Sequence, residues 1–150
     1  MELHFDTETL DGVAHKVVFI TGGSSGLGLA AAHQFLKLGS RVVIADIQPP
    51  ATPVDGAAYL FCDVTNWSTL LSAMRETVQI HGSLDVVVAN AGIGEIEDIF
   101  HDEMDEATGD LKQPNHSVIE VNLKGVMNTV KLGVHHMRKQ QGGGAIIIRR

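Results

Sequence analysis

The residues best suited to chemistry lie in one short run, Thr21-Gly22-Gly23-Ser24-Ser25-Gly26-Leu27-Gly28, and in an acid further on, Asp46. Glycines admit a bulky anion to the backbone, because no side chain holds it away. Gly22 is placed to make the tight turn, and Gly26 and Gly28 to allow close approach and close packing. Thr21, Ser24 and Ser25 add hydroxyl donors. If a helix starts at this turn, its free N–H groups and partial positive charge complete an anion site. Asp46 could accept from both hydroxyls of an adenosine ribose and would repel a 2′-phosphate. A phosphate turn followed by a ribose-reading acid is the chemistry of a dinucleotide, NAD rather than NADP, with NADP kept open.

The flanking sequence supplies the elements that such a site needs. Val17-Val18-Phe19-Ile20 precedes the turn as an apolar strand. Leu27, Ala31, Phe35 and Leu38 follow at helical spacing, and Gly39 stops the helix. Arg41 to Ala45 is a second strand, ended by Asp46. Strand, glycine turn, helix, strand and acid fall in the order of a dinucleotide-binding unit. Ala57 to Cys62 reads as a third strand, after a loop containing Pro49, Pro50, Pro53 and Gly56. Asn66 or Thr65 caps a helix with Trp67, Leu71, Met74 and Val78 on one apolar face, closed by His81-Gly82. Leu84 to Ala89 is a fourth strand and Ala145 to Ile148 a fifth. Between them a helix runs from Pro114 or Asn115 to about Gln140. Its wide apolar face includes Val118, Ile119, Leu123, Val126, Met127, Val130, Val134 and Met137. This alternation predicts an α/β fold, a Rossmann-like doubly wound parallel sheet of about five strands in order 3-2-1-4-5. Ligand then binds at the carboxyl ends of the strands.

Composition bounds the rest. The chain has 150 residues, 44% hydrophobic and 19% charged, which suits one domain over residues 1–150. Aromatics make up only 5%, so aliphatic side chains must build the core. The net charge is −7, with eight acids and no Lys or Arg between Glu95 and Asp110. That loop reads as solvent-facing, and no basic footprint for nucleic acid exists. The eight histidines form no metal pattern, so no metal is expected. Cys62 is the single cysteine, which excludes an intrachain disulfide. No secretory leader or membrane-length apolar run is seen, and a cytoplasmic protein without membrane association is expected.

Read as T-G-x-x-x-G-x-G, the turn resembles that of the short-chain dehydrogenase/reductase family, in its classical branch, and the resemblance runs over roughly residues 15–148. It implies NAD(P)-dependent oxidation of an alcohol or reduction of a ketone of a small molecule, in the family's frequent setting of specialised metabolism. Asp63-Val64 resembles the pair that contacts adenine in the family, with helix capping as the plain alternative for Asp63. Asn90-Ala91-Gly92 resembles the end of the family's N-N-A-G motif, with Ala89 in place of its first Asn. Val121-Asn122-Leu123-Lys124-Gly125 resembles the helix motif whose Asn sits at a kink and serves the proton relay, which makes Asn122 the mappable catalytic residue. Lys124 reads first as a solvated surface lysine, with a cofactor-side contact as the alternative that keeps it among the candidate cofactor-binding residues. The resemblance also implies a homo-oligomer for a full-length relative.

The family's remaining catalytic residues, a Ser and a Tyr-x-x-x-Lys pair, have no counterpart here. Tyr59 is the sole tyrosine, and residue 63, four further on, is Asp. The fifth strand leads into Arg149-Arg150 where the family has Ser-Ser. The expectation is therefore an incomplete domain, truncated before the catalytic helix, or else a non-catalytic dinucleotide-binding remnant.

Overall fold

The computed structural model describes residues 11–95, 98 and 100–149. Its sheet is built from β1 (Val17–Thr21), β2 (Arg41–Asp46), β3 (Ala57–Phe61), β4 (Val86–Ala89) and β5 (Ala145–Ile148). The strand order is β3-β2-β1-β4-β5, as expected. Every pairing is parallel: Phe19 stands beside Val43 and Val87, and Val87 beside Ile146. A central parallel strand is covered on both faces, so it cannot alternate apolar with polar residues. β1 accordingly reads Val-Val-Phe-Ile, and all four side chains are fully buried.

Helix α1 (Gly26–Lys37) covers one face of the sheet. There Val18, Ile20, Val42, Ile44, Val86 and Val88 meet Ala32, with Phe35 and Leu36 alongside. Helix α2 (Trp67–His81) covers the other face, with the long helix that precedes β5. On that side Phe19, Val43 and Val87 pack with Leu70, Met74 and Leu132. Burying each such aliphatic side chain stabilises the fold by about 1.5–3 kcal/mol relative to exposure.

Most of each expected helix face packs on the core, Ala31 and Phe35 in α1 and Leu71, Met74 and Val78 in α2, while the first expected position of each is exposed. In α1 the buried positions are Gly28 and Ala32, and Leu27 is 65% exposed. At Gly28 the helix comes so close to the turn after β1 that no side chain fits there. In α2 the buried line is Leu70, Ala73, Met74 and Thr77, while Trp67 is 41% exposed. Trp67 sits at the first turn, past the edge of the core. Asn66 is the cap of α2, accepting from the Ser68 and Thr69 N–H groups at 3.0 and 3.3 Å. Gly82 ends it in the left-handed conformation at φ 83°.

The long helix is interrupted. A short α3 (Ser117–Ile119) runs into a π-helical segment over Glu120–Gly125, then into α4 (Val126–Met137). α4 buries Thr129, Leu132, Gly133 and Met137. Ile119, Leu123 and Met127, assigned to the apolar face, are each more than half exposed. The start is later than Pro114 or Asn115; the Asn115 side chain instead accepts from the Ser117 N–H at 2.8 Å. Within the acidic loop, Met104 and Leu111 form an antiparallel bridge, and Lys112 pairs with Glu103. Glu97 of that loop lies outside the described residues. Among the described residues no helix is long and apolar enough to cross a membrane, and no group of His, Cys, Asp and Glu could hold a metal ion.

Candidate functional site

A cavity of about 630 Å³ opens at the carboxyl ends of the strands. It collects most of the residues singled out in the sequence. Gly22, Ser25, Gly26, Leu27 and Gly28 line its centre, with Asn90, Ala91 and Gly92 opposite. Asp46, Asp63 and Val64 line one end.

The glycine turn works by three separate constraints. Gly22 adopts φ 63°, and a Cβ there would stand 2.7 Å from Ala91 Cα. Gly28 packs against the turn itself, since its Cβ would stand 2.1 Å from the Gly22 carbonyl oxygen. Gly26 adopts φ 51°, and a Cβ there would meet nothing within 4 Å. The first two are therefore required by packing, whereas Gly26 faces open space beside the cavity.

The donors suit an anion. Ser25 precedes α1 without forming a side-chain cap, and the first turn carries no acid. Among the described residues, the N–H groups of Ser25, Gly26, Leu27 and Gly28 have no protein acceptor; the first bonded one is Leu29, onto Ser25 O at 3.1 Å. A row of free donors at a helix start with its partial positive charge fits a pyrophosphate.

Asn90 holds the turn in place. Its Nδ2 donates to Thr21 O at 3.0 Å and Gly22 O at 2.9 Å. Its N–H donates to Thr21 Oγ1 at 3.1 Å, and that hydroxyl donates to Val88 O. The amide donors are thus committed to the backbone between β1 and β4, and the interstrand bonds are made without an Asn at position 89. At the acid end, Asp46 Oδ2 accepts from Ser24 N–H at 3.0 Å, which orients the carboxylate beside the cavity. Asp63 Oδ1 accepts from the Thr65 N–H and hydroxyl at 2.8 and 2.7 Å, which shapes the approach to α2, while Asn66 does the capping.

Three of the assigned residues are elsewhere. Ser24 does not line the cavity; its hydroxyl donates to Gln48 O at 2.6 Å. Lys124 does not line the cavity; it pairs with Glu120 one helical turn earlier, and Glu120 is in the lining. Asn122 also stands outside the lining, in the π-helical segment. Its Oδ1 accepts from Ile93 N–H at 2.9 Å and its Nδ2 donates to Ile93 O at 2.8 Å. That two-point contact fixes the chain leaving β4, and Ile93 itself lines the cavity.

Other lining residues had no role read from the sequence. Ile47 and Thr65 flank the two acids, and Ser117, Glu120 and Val121 come from the helix start. Among the described residues, Arg149 is the only lysine or arginine of the lining, next to its N–H bond to Ala89 O at 3.1 Å. Cys62 lies in the cavity wall with its thiol pushed up to about 12, by burial first and then by Asp63 and Asp46. It is a neutral wall residue at ordinary pH. One signal could have placed it: the residue just before Asp63 points inward if Asp63 sits on the rim.

The chain matches the family described as short chain dehydrogenase over residues 16–149. The chain belongs to that family. It is 42% identical to the short-chain dehydrogenase/reductase ascJ of Acremonium egyptiacum over 98% of this chain and 51% of that protein. It is 38% identical to the 5′-hydroxyaverantin dehydrogenase stcG of Emericella nidulans, over 92% of this chain and 49% of that one. Among solved structures it resembles ligand-free aldohexose dehydrogenase of Thermoplasma acidophilum, with a TM-score of 0.75 and 28% identity over 92% of this chain. The 3-ketoacyl-(acyl-carrier-protein) reductase of Brucella melitensis, solved with NADH, shares the fold at a TM-score of 0.72 and 24% identity. The chain spans about half the length of the curated relatives it matches. NAD(P) is the cofactor of this family, and the free N–H row with the glycine turn fits a pyrophosphate.

Proposed function

We propose that this chain is the dinucleotide-binding half of an oxidoreductase that uses NAD(H) to interconvert a secondary alcohol and a ketone on a small molecule. The observation that carries the reading is the pairing, in one cavity, of the free N–H row at α1 with the Asp46 carboxylate at the end of β2. The first would hold the pyrophosphate. The second would accept from the ribose hydroxyls and repel a 2′-phosphate. The nicotinamide ring, when bound, supplies the hydride acceptor or donor. The far end of the cavity, at Gly92 and Ile93, is the place this chain leaves for that ring and the substrate carbon. Asn122 holds that end by its two bonds to Ile93. The dehydrogenase names of two relatives support alcohol chemistry, and their doubled length supports a partner segment that carries the proton-transferring residues. The sequence of the transcript beyond the Arg150 codon would show whether a Ser and a Tyr-x-x-x-Lys follow.

The test is a calorimetric titration of the protein with NADH and NADPH, repeated on Asp46→Ala. NADH should bind at least about tenfold more tightly, and Asp46→Ala should weaken NADH while narrowing that gap. Tighter binding of NADPH by the unmodified protein would refute the cofactor assignment.

A further inference from the structure

Asp46 is held from two sides, and the side chains that do so, Ser24 and Tyr59, lie outside the cavity lining. On the glycine-turn side, the Ser24 N–H donates to Asp46 Oδ2 at 3.0 Å, and the Ser24 hydroxyl donates to Gln48 O at 2.6 Å. One residue therefore fixes both the carboxylate and the turn that follows it. The Gln48 N–H reaches back toward Asp46 Oδ1 at 3.4 Å, which closes the ring of contacts. On the β3 side, the Asp46 carbonyl accepts from the Cys62 N–H at 2.9 Å and from the Tyr59 hydroxyl at 3.2 Å. Ser24 is 9% exposed. Its hydroxyl therefore has little water to turn to if the bond to Gln48 breaks, and an unmade buried bond is costly.

We propose that Ser24 and Tyr59 are positioning residues that act through Asp46 to exclude a 2′-phosphorylated dinucleotide; the inference rests on the assignment of Asp46 to the ribose. A carboxylate discriminates only if it stays in place. To admit a phosphate of about −2 charge, the carboxylate must rotate away or the turn at residues 46–48 must move outward. Rotation loses the Ser24 N–H bond. Outward movement loses the Ser24 hydroxyl bond to Gln48, and displacement of the strand end loses the Tyr59 bond. Each escape route breaks a contact that the unphosphorylated dinucleotide leaves intact. The penalty thus falls on one ligand and not on the other.

The experiment measures the ratio of the NADPH and NADH dissociation constants for the purified protein and its variants. Ser24→Ala and Tyr59→Phe should each lower that ratio by about three- to tenfold, the worth of one hydrogen bond. Ser24→Thr keeps a hydroxyl and should stay within about twofold of the unmodified protein. In an Asp46→Ala background, neither Ser24→Ala nor Tyr59→Phe should change the ratio further. Equal weakening of both ligands would mark a merely structural role and overturn the proposal. So would a further fall of the ratio in the Asp46→Ala background. An unmodified protein that does not distinguish the two ligands would instead overturn the assignment of Asp46 itself, and this inference with it. Tyr59→Phe carries the test if Ser24→Ala does not fold.

Discussion

Gly28 and Gly26 sit two residues apart and should fail in opposite ways. In Gly28→Ala the new methyl would stand 2.1 Å from the Gly22 carbonyl oxygen and 2.5 Å from Asn90 Nδ2. A comfortable contact is about 3.5 Å, so helix and turn must separate by roughly an ångström. The two Asn90 bonds to Thr21 O and Gly22 O lie in the path of that movement. Losing them costs about 1 kcal/mol each, and the overpacking itself about 1–3 kcal/mol, so roughly 3–5 kcal/mol in all. That is a large part of the ~5–15 kcal/mol by which a domain is stable, and it lowers the melting temperature by roughly 6–20 °C at this chain length. In Gly26→Val the new Cβ meets no neighbour within 4 Å, so the fold is expected to bear chiefly the strain of φ 51°. A residue with a Cβ carries about 1–2 kcal/mol there. The branched side chain instead stands at the free N–H groups and should weaken NADH at least about tenfold. Thermal unfolding followed by circular dichroism, with NADH fluorescence titration on the same samples, separates the two effects. A Gly28→Ala protein melting within about 2 °C of its parent, or a Gly26→Val protein that binds NADH like the parent, would refute the assignment of packing to one glycine and approach to the other.

Stability should fall at both ends of the pH scale. The Cys62 thiol stands near 12 in the fold against 9.0 in an open chain, so the unfolded chain loses its proton first and stability declines as pH rises from 9 toward 12. His81 and His136 lie below 6.5 because burial disfavours their charged forms, so their contribution is complete above 6.5 and is lost as pH falls. Urea midpoints measured across this range check both limbs, and Cys62→Ala should flatten the alkaline one; a midpoint constant to about pH 11 would contradict it. A polypeptide of residues 1–150 alone should self-associate through β5, where Ile147 and Ile148 are about half exposed at the sheet edge, and Ile147→Lys should reduce the light scattering. That same polypeptide should form no NADH from a panel of secondary alcohols, because Tyr59, its sole tyrosine, is bonded to Asp46 O and lies outside the cavity lining. Turnover by residues 1–150 would mean that another group transfers the proton.

The sheet and its order were legible because buried parallel strands leave a direct mark. Val17 to Ile20 and Val86 to Ala89 are apolar at every position, which only two covered faces require. The glycine turn was legible for a similar reason: a positive φ at Gly22 and Gly26 and a forbidden Cβ at Gly28 restrict the residue type itself. Helix faces were less legible. Apolar spacing reports which side could be buried, and Leu27 satisfied it, but the depth of approach at Gly28 decided the face. A hydroxyl in a phosphate turn is a natural donor, so the sequence alone puts Ser24 among the ligand contacts. Its actual partner, Gln48 O, is 24 residues away across a strand, and no local pattern announces it.

The π-helical segment shows why the last part of the site resists reading by period. An i→i+5 turn inserts one residue into the helix, so positions before and after it no longer share one 3.6-residue face. Ile119, Leu123 and Met127 match the apolar stripe in sequence yet are exposed, while Leu132 and Met137 beyond the segment are buried. The same insertion places Asn122 where its amide meets both Ile93 backbone groups. Gly125 supports that arrangement, since a Cβ there would stand 2.6 Å from Val64 Cγ2. Asn128 adds a weaker tie to Val64 O at 3.4 Å. The helix therefore touches the Asp63–Val64 end of the cavity through Gly125 and Val64, and the Gly92–Ile93 side through Asn122 and Ile93. One segment of unusual pitch thus contacts both ends of the cavity.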